Sequence, residues 1–372
     1  MKKLFLSLMI LCLGFYVEAQ DSNYEFEAVA DLETTSVKSQ DRTGTCWCFA
    51  TISFLESELL RMGKSAYDLS EMYIVKKAYE EKARLYIGNH GLSNFSQGGQ
   101  AHDVFNEMID HGIVPENVFP GIQYRSEGHN HAELSTVLKH YLDGVLEARR
   151  PTTVWQEAFS AILDVYLGED PEIFTYEGKE YTPHFFYKEL EINPDDYVEI
   201  MSCTNVPYYE KVPLLVPDNW SQDDYYNVPL DDFMEIMSYS LKQGYTFVWD
   251  GDMSDRGFTR KEGIAVVDNE KDKEKTFLKQ PVDEKLIDPD FRQVEYETFN
   301  ITDDHLMHIT GLSTDQNGTV YYKTKNSWGT DHKYDGYWYM SEQFMRLHTV
   351  AIMVHKDAIP RSIRKKWIYK NQ

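Results

Sequence analysis

The sequence has 372 residues and a formal net charge of −24 at pH 7, from 61 acidic and 37 basic side chains. This charge argues against a nucleic-acid-binding protein, which needs a positive surface to neutralise phosphates, and against docking on anionic lipid through a basic patch. Hydrophobic residues make up 42% of the chain and aromatic residues 14%, so we expect a packed core and not a disordered protein. The length suggests one large domain or two ordinary ones.

Residues 1–19 have the pattern of a signal peptide. Lys2 and Lys3 give a positive start, an apolar run covers residues 4–17, and Ala19 ends a Val-Glu-Ala site. The run is short for a membrane span but right for the apolar region of a secretory signal. We expect cleavage after Ala19 and an exported mature chain, periplasmic or secreted, with no membrane attachment afterwards. An uncleaved anchor is the alternative.

Three cysteines remain once Cys12 leaves with the signal: Cys46, Cys48 and Cys203. An odd number argues against a disulfide scaffold, and at least one thiol of the monomer must stay free. The C-x-C pair has neither a second pair nor a nearby histidine, so we expect no metal there.

The first half of the chain shows helical periodicity. Residues 20–35 are acidic and lack such periodicity, which indicates an extended arm, and residues 39–45 form a polar turn. In residues 46–62 apolar side chains recur at three- and four-residue steps on one face, and Gly63 is a stop signal. Further helices are predicted over residues 69–85, 101–111 and 133–166, the last with a break at Pro151.

Strand patterns dominate the second half, after one more helix predicted over residues 230–243. Asn317-Gly318 is a strong turn signal between two strand patterns. Strands are predicted over residues 245–249, 306–312, 320–325, 336–340 and 350–354. A helical half followed by a β-rich half predicts an α+β fold with a cleft between two subdomains.

Cys46 is the candidate nucleophile because it stands at a predicted helix N-terminus, directly after the turn. A helix N-terminus stabilises negative charge, so we expect this position to lower the pKa of the thiol. Cys48 points elsewhere and is interpreted as a buried structural residue. The amide of Gln40 could donate across the turn and, with the Cys46 N–H, form an oxyanion hole.

A thiolate nucleophile also needs a base and a group that orients the base. His305 opens one strand pattern and Asn326 closes the next, so a hairpin would make them neighbours. Direct pairing of 305 with 326 would centre the turn before Asn317-Gly318, so either the loop is longer or a bulge intervenes. His308 competes as the base, but it lies on the opposite side of the strand.

Other polar groups are interpreted as lacking catalytic roles. The segment from Asp250 to Asp255 hints at a calcium loop, but Lys261 stands where the twelfth-position Glu is required. His129 and His131 are expected in a solvated loop. The excess of acid favours substrates with a free amine or basic residues.

Four segments together resemble the papain-like cysteine peptidases, and more closely their bleomycin hydrolase / aminopeptidase C branch (peptidase family C1B). They are residues 40–47 (QDRTGTCW), 96–100 (SQGGQ), 304–307 (DHLM) and 325–329 (KNSWG). Their order and spacing agree with the branch from roughly residue 30 to 360. The resemblance implies a papain-like fold, with a helical part at about 36–190, a β-rich part at about 191–360 and a tail at 361–372.

The resemblance also implies a role for each matching residue. Cys46 would be the nucleophile, His305 the base and Asn326 its orienter, and Gln40 the oxyanion donor. Gly98 and Gly99 would let a substrate backbone approach closely, while Trp47 and Trp328 would support the site, Trp328 by shielding the His–Asn hydrogen bond. No metal or organic cofactor is implied.

The chain departs from the branch at its end. Branch members direct a C-terminal tail into the cleft, which restricts them to the N-terminal end of a peptide, whereas only twelve residues follow Pro360 here. The branch is largely intracellular and forms hexameric rings, so a homo-oligomer is implied by resemblance only. Peptides are the expected substrates, and an aminopeptidase is the leading function. An endopeptidase and a catalytically silent binding or assembly module are the alternatives.

Overall fold

The computed structural model describes residues 23–123, 127–267 and 276–370, with side chains to Trp367. The predicted signal segment, residues 1–19, lies outside the described residues. Among the helices of the described part, none is both long and apolar enough to cross a bilayer.

The helical half is built around α1 (Cys46–Arg61). The sequence predicted one apolar face for this helix, but the structure buries α1 on all sides. The reason is that α2 (Glu71–Gly88) and α3 (Ala101–His111) pack on one side of α1 while the sheet packs on the other. The predicted helix over 133–166 is two helices separated around Pro151. The remaining helices of this half are α4 (Ala132–Glu147), α5 (Val154–Leu167) and α6 (Pro183–Leu190).

The predicted strands belong to one large mixed sheet. Its strands are β1 (Phe26–Asp31), β4 (Tyr197–Met201), β5 (Lys211–Pro213), β6 (Asp224–Asn227), β7 (Phe247–Gly251), β8 (Phe258–Thr259), β9 (Ile264–Ala265), β10 (His305–Asp315), β11 (Val320–Lys325), β12 (Tyr337–Ser341) and β13 (Thr349–His355). A separate hairpin is formed by β2 (Phe174–Tyr176) and β3 (Lys179–Tyr181). The strand order in the large sheet is β5-β6-β4-β13-β7-β10-β11-β12-β9-β8, and β1 pairs with β10. The arm predicted over residues 20–35 therefore contains an edge strand.

The β10–β11 hairpin contains both irregularities that the sequence offered as alternatives. Its turn lies between Asp315 and Val320 and includes Asn317-Gly318, and the register shifts by one residue between Ile309 and Gly311. Direct pairing of residues 305 and 326 would centre the turn before Asn317-Gly318, and this bulge accounts for part of that difference.

Two large cores share the sheet, and a smaller cluster surrounds Tyr321 of β11. One core holds the helical half and also includes Val248, Leu306 and Met353, which reach it from the sheet. The other core lies between the opposite face and the helices α7 (Leu230–Lys242), α8 (Pro289–Glu297), α9 (Glu342–His348) and α10 (Arg361–Lys370). The sheet and the helical half thus meet along α1.

The predicted tail begins as helix α10, which docks on the sheet. Ile363 is buried, and the Trp367 ring stacks on Tyr226 of β6 with centroids 4.4 Å apart. Lys366 pairs with Asp232 of α7 at 2.8 Å. These contacts hold the described part of the tail against β6 and α7.

Candidate active site

Cys46 is the first residue of α1. The Thr45 carbonyl accepts from the N–H groups of Cys48 and Phe49, at 3.0 and 3.2 Å, which closes the first helical turn. The Gly44 N–H donates to Gln97 Oε1 at 2.8 Å and ties the preceding loop to the 96–100 segment. Because the first N–H groups of a helix have no intrahelical acceptor, the Cys46 N–H can serve a ligand at the sulfur.

Burial dominates the electrostatics of the Cys46 thiol, which is 9% exposed. Burial raises the pKa of Cys46 to about 12; hydrogen bonds from backbone N–H groups of Leu306 and Trp47 lower it, and the charges of Asp303 and Asp218 raise it further. The helix N-terminus does act as we expected, through Trp47, but burial outweighs it. A thiolate here needs a neighbour that takes up the proton and gains a compensating positive charge.

His305 and Asn326 are in direct contact, with Nε2 and Oδ1 2.8 Å apart. Burial lowers the pKa of His305 to about 4, and the hydrogen bond with Asn326 raises it. When Nε2–H donates to Asn326, Nδ1 is the ring nitrogen left to accept a proton. Leu306, the next residue, has the N–H that meets the Cys46 sulfur, so the thiol lies beside the strand end that carries the ring.

The residues after Asn326 hold this pair in place. The Ser327 N–H donates to Asn326 Oδ1 at 2.7 Å, which fixes the orientation of the amide. The half-buried Trp328 ring lies over His305, with centroids 5.0 Å apart. Trp328 therefore stands where it can shield the His305–Asn326 hydrogen bond from water.

Gln40 is anchored at both ends of its amide. Its Nε2 donates to the Thr43 carbonyl at 2.7 Å, and its Oε1 accepts from Ser327 Oγ at 2.6 Å. The Gln40 N–H also donates to the Ser327 carbonyl at 2.8 Å. A primary amide has two N–H bonds, so a second donor remains for a ligand. These bonds join the turn before Cys46 to the segment that bears Asn326.

The two glycines of the 96–100 segment face different neighbours. A Cβ built on Gly99 would lie 3.0 Å from the Trp47 ring, so Gly99 makes room for Trp47. The Trp47 Nε1–H donates to the Gln97 carbonyl at 3.0 Å and supports this loop. A Cβ built on Gly98 would overlap Asp218 Oδ2. The space in front of Gly98, which the resemblance assigned to a substrate backbone, therefore contains a carboxylate.

The other candidates of the sequence lie outside this arrangement. Cys48 is fully buried, and its thiol donates to the Glu71 carbonyl at 3.3 Å. Cys203 is also buried and free. The competing base His308 lies against α1, with Nδ1 2.9 Å from Ser53 Oγ.

Sequence reasoning missed three acidic residues near the thiol: Asp218, Asp250 and Asp303. Asp303 and Asp218 both raise the pKa of Cys46, and Asp303 accepts a hydrogen bond from Gln100 Nε2 at 2.9 Å. Asp250 lies within β7, between Trp249 and Gly251. A carboxylate inside an otherwise apolar strand was the signal available for Asp250. The positions of Asp218 and Asp303 near the thiol could be recognised only from the three-dimensional structure.

A cavity of about 650 Å³ opens beside Trp328. It is lined by Ser39, Asp41, Arg42, Glu127, Gly128, His129, Asn130, Arg260 and Trp328. The cavity thus adjoins both the Gln40 loop and the shielding tryptophan. Over residues 23–123, 127–267 and 276–370, no group of three or more His, Cys, Asp or Glu side chains has an arrangement that could hold a metal ion.

A thiol at the start of a buried helix, beside the strand end that carries a His–Asn pair, is the arrangement of a papain-like cysteine peptidase. The fold agrees: PepW from Lactobacillus rhamnosis HN001, whose crystal structure is known, superposes with a TM-score of 0.73 at 20% identity, over 93% of this chain and 85% of that one. The architecture is therefore α+β and papain-like, as predicted.

The chain belongs to the Peptidase C1-like family, whose profile matches residues 90–371. The profile of the papain family cysteine proteases matches residues 23–156, which include Cys46. Aminopeptidase C of Lactococcus lactis subsp. cremoris is 25% identical over 88% of this chain and 82% of its own length. Aminopeptidase W of Lactobacillus delbrueckii subsp. lactis is 25% identical over 92% of this chain and 85% of its own length. The protein is a cysteine peptidase.

Proposed function

We propose that this peptidase is an aminopeptidase in which Cys46, His305, Asn326 and Gln40 perform the reaction. The observation that carries the proposal is the 2.8 Å contact of His305 with Asn326, at the strand end whose next N–H meets the Cys46 sulfur. The relatives named aminopeptidase C and aminopeptidase W support removal of residues from the peptide N-terminus.

The first half-reaction forms an acyl-enzyme. His305 Nδ1 takes the proton of Cys46, and the sulfur attacks the carbonyl carbon of the scissile bond. The oxygen gains negative charge, which the Cys46 N–H and Gln40 Nε2 stabilise by hydrogen bonding. The C–N bond then breaks, and the imidazolium gives its proton to the leaving amine. A thioester remains on Cys46.

The second half-reaction restores the thiol. His305 takes a proton from water, and the oxygen attacks the thioester carbon. The C–S bond breaks, the carboxylic acid leaves, and the sulfur regains a proton from the imidazolium. Since burial disfavours either charge alone, thiolate and imidazolium form together and stabilise each other. The cavity is lined by Trp328, the ring that covers the proton donor His305, and we assign it to the leaving part of the peptide.

Aminopeptidase action predicts a strong preference for substrates with a free N-terminus. We expect leucyl-7-amido-4-methylcoumarin to be cleaved with a kcat/KM more than about 10-fold above that of its N-acetylated form, which is more than about 1.4 kcal/mol of transition-state discrimination. The measurement is fluorescence release by purified protein. Equal or faster cleavage of the acetylated compound would identify an endopeptidase instead.

We further propose that residues 1–19 direct export of the protein. The support is the positive start, the apolar run and the small residue Ala19. N-terminal sequencing of protein isolated from its native cells is expected to begin at Gln20. A sequence beginning at Met1 in the exported fraction would show that the segment is retained.

A further inference from the structure

Three carboxylates from separate parts of the fold lie near Cys46: Asp303 and Asp218 act on its thiol, and Asp250 lies beside Asp303. Asp303 precedes β10, Asp250 lies in β7, and Asp218 lies in the loop between β5 and β6. The charge of Asp218 helps to raise the pKa of both Asp303 and Asp250. Like charges at close range repel one another and favour a cation between them.

Asp250 is the deepest of the three, and its carboxyl lies beside the Asp303 carboxyl and the Gln100 amide. The residue is 3% exposed, and neither carboxylate oxygen makes a hydrogen bond of normal geometry within the described residues. Asp250 pairs with Leu306 across the β7–β10 ladder, which places both side chains on the sheet face toward the helical half. Burial, then the charge of Asp303 and a hydrogen bond shared with its carboxyl, raise the pKa of Asp250, while the nearby Gln100 amide lowers it. Such a group is costly unless a ligand satisfies it.

Asp218 forms the wall of the cleft opposite Gly98. Asn94 Nδ2 and Ser96 Oγ hold its Oδ1 at 3.0 and 3.2 Å, and its Oδ2 lies against the Gly98 backbone. A peptide backbone that continued past Gly98 would meet this carboxylate. The wall therefore limits how far a substrate extends on this side of Cys46.

Basic side chains of the described residues do not form ion pairs with these three carboxylates. Among described residues, no Lys, Arg or His forms an ion pair with Asp218, Asp250 or Asp303. Lys82 interacts electrostatically with Asp218, but its ammonium donates hydrogen bonds to the carbonyl oxygens of Ser96 and Gly98. The acidic wall beside the thiol is thus available to a cation that enters with a substrate.

We propose that Asp218, Asp250 and Asp303 form the binding site for the free α-ammonium group of the substrate peptide, and that Asp218 also blocks extension beyond the first residue. This inference rests on the proposed aminopeptidase function and assigns its specificity to these residues. The α-nitrogen lies two bonds, about 2.5 Å, from the carbonyl carbon that Cys46 attacks, so it must bind close to the sulfur. The ammonium of a lysine side chain lies four methylenes farther from the backbone and suits a more distant site.

Binding of the ammonium has a second effect on the nucleophile. The negative charges of Asp303 and Asp218 oppose formation of the Cys46 thiolate, and a cation placed between them reduces this opposition. Substrates with a free amine therefore gain both affinity and a more easily ionised thiol.

The test measures kcat/KM of Asp218→Asn, Asp250→Asn and Asp303→Asn with leucyl, N-acetyl-leucyl and N-acetyl-lysyl coumarylamides. We expect kcat/KM for the leucyl compound to fall about 10- to 100-fold, as for loss of a hydrogen bond between charged groups, with little change for the acetylated pair. Iodoacetamide should alkylate Cys46 faster in Asp218→Asn and Asp303→Asn at neutral pH, because an opposing charge is gone. Damaged folding would also expose the buried thiols of Cys48 and Cys203, so faster alkylation confined to Cys46 distinguishes the charge effect from unfolding.

Asp304→Asn is the matched control, since it removes the same charge next to Asp303 from an exposed side chain bound to Thr302. If kcat/KM for the leucyl compound falls equally in Asp304→Asn, the preference for a free amine comes from the general negative potential, and the proposed site is wrong. Selective loss of N-acetyl-lysyl cleavage would assign the acids to a side chain and also overturn it. If the native protein prefers the free amine and all three variants keep that preference, the site is wrong while the aminopeptidase proposal stands. If the native protein shows no preference for the free amine, both the aminopeptidase proposal and the acidic binding site are wrong.

Discussion

Cys46→Ala is expected to abolish peptide hydrolysis while the protein stays folded. Loss of a nucleophile in a Ser or Cys hydrolase costs on the order of 10⁶-fold in kcat, because no other group can form the covalent intermediate. The replaced side chain is small, and the hydrogen bonds to its sulfur come from the backbone N–H groups of Leu306 and Trp47, so thermal unfolding should change little. Release of coumarin from the leucyl substrate and a melting curve are the two measurements.

Cys48→Ala provides the control, because Cys48 is a buried thiol two residues away on the same helix. Its hydrogen bond to the Glu71 carbonyl contributes about 1 kcal/mol of stability, so this variant should melt slightly earlier and keep its kcat. Turnover that survived in Cys46→Ala and disappeared in Cys48→Ala would move the nucleophile to the other thiol.

His305→Ala should inactivate the protein nearly as completely as Cys46→Ala, whereas Asn326→Ala should retain about 10- to 100-fold more activity than His305→Ala. His305 transfers the proton in both half-reactions, and nothing replaces it. Asn326 orients the ring and, through its hydrogen bond, raises the pKa of His305, so its loss disfavours the imidazolium without removing the base. Single-turnover rates with the leucyl substrate give the ranking.

Asn326→Asp tests whether orientation is the important property, since an aspartate oxygen can still accept from Nε2. It should recover part of the activity lost in Asn326→Ala. An Asn326→Ala protein as inactive as His305→Ala, or a His308→Ala protein as inactive as either, would contradict the assignment of the base.

The local parts of the site could be predicted from the sequence. The helix that starts at Cys46 follows from apolar spacing and the preceding turn, and the proximity of His305 and Asn326 follows from a hairpin. The contact between them could not be derived from pairing alone, because it depends on the position of the turn together with a bulge between Ile309 and Gly311 that no residue type indicates. The choice of His305 among the histidines required the resemblance.

Properties that depend on tertiary packing were predicted less well. The pKa of Cys46 was expected to fall at a helix N-terminus, yet burial between the two halves raises it. His129 and His131 were expected in a solvated loop, but both are buried, and His131 lies 3.4 Å from the Tyr79 hydroxyl. Asp218 meets Gly98 from 120 residues along the chain, a contact that no local pattern could show.

The enclosure of α1 has a thermodynamic consequence. The same helix contributes side chains to the helical core and packs on β10 and β7. Separating the two halves would therefore expose the apolar surface that α1 shares with both. Thermal loss of either half therefore exposes the other, and the molecule should denature as one cooperative unit. The reactive sulfur sits within this shared layer, so the arrangement around it should persist up to the unfolding transition.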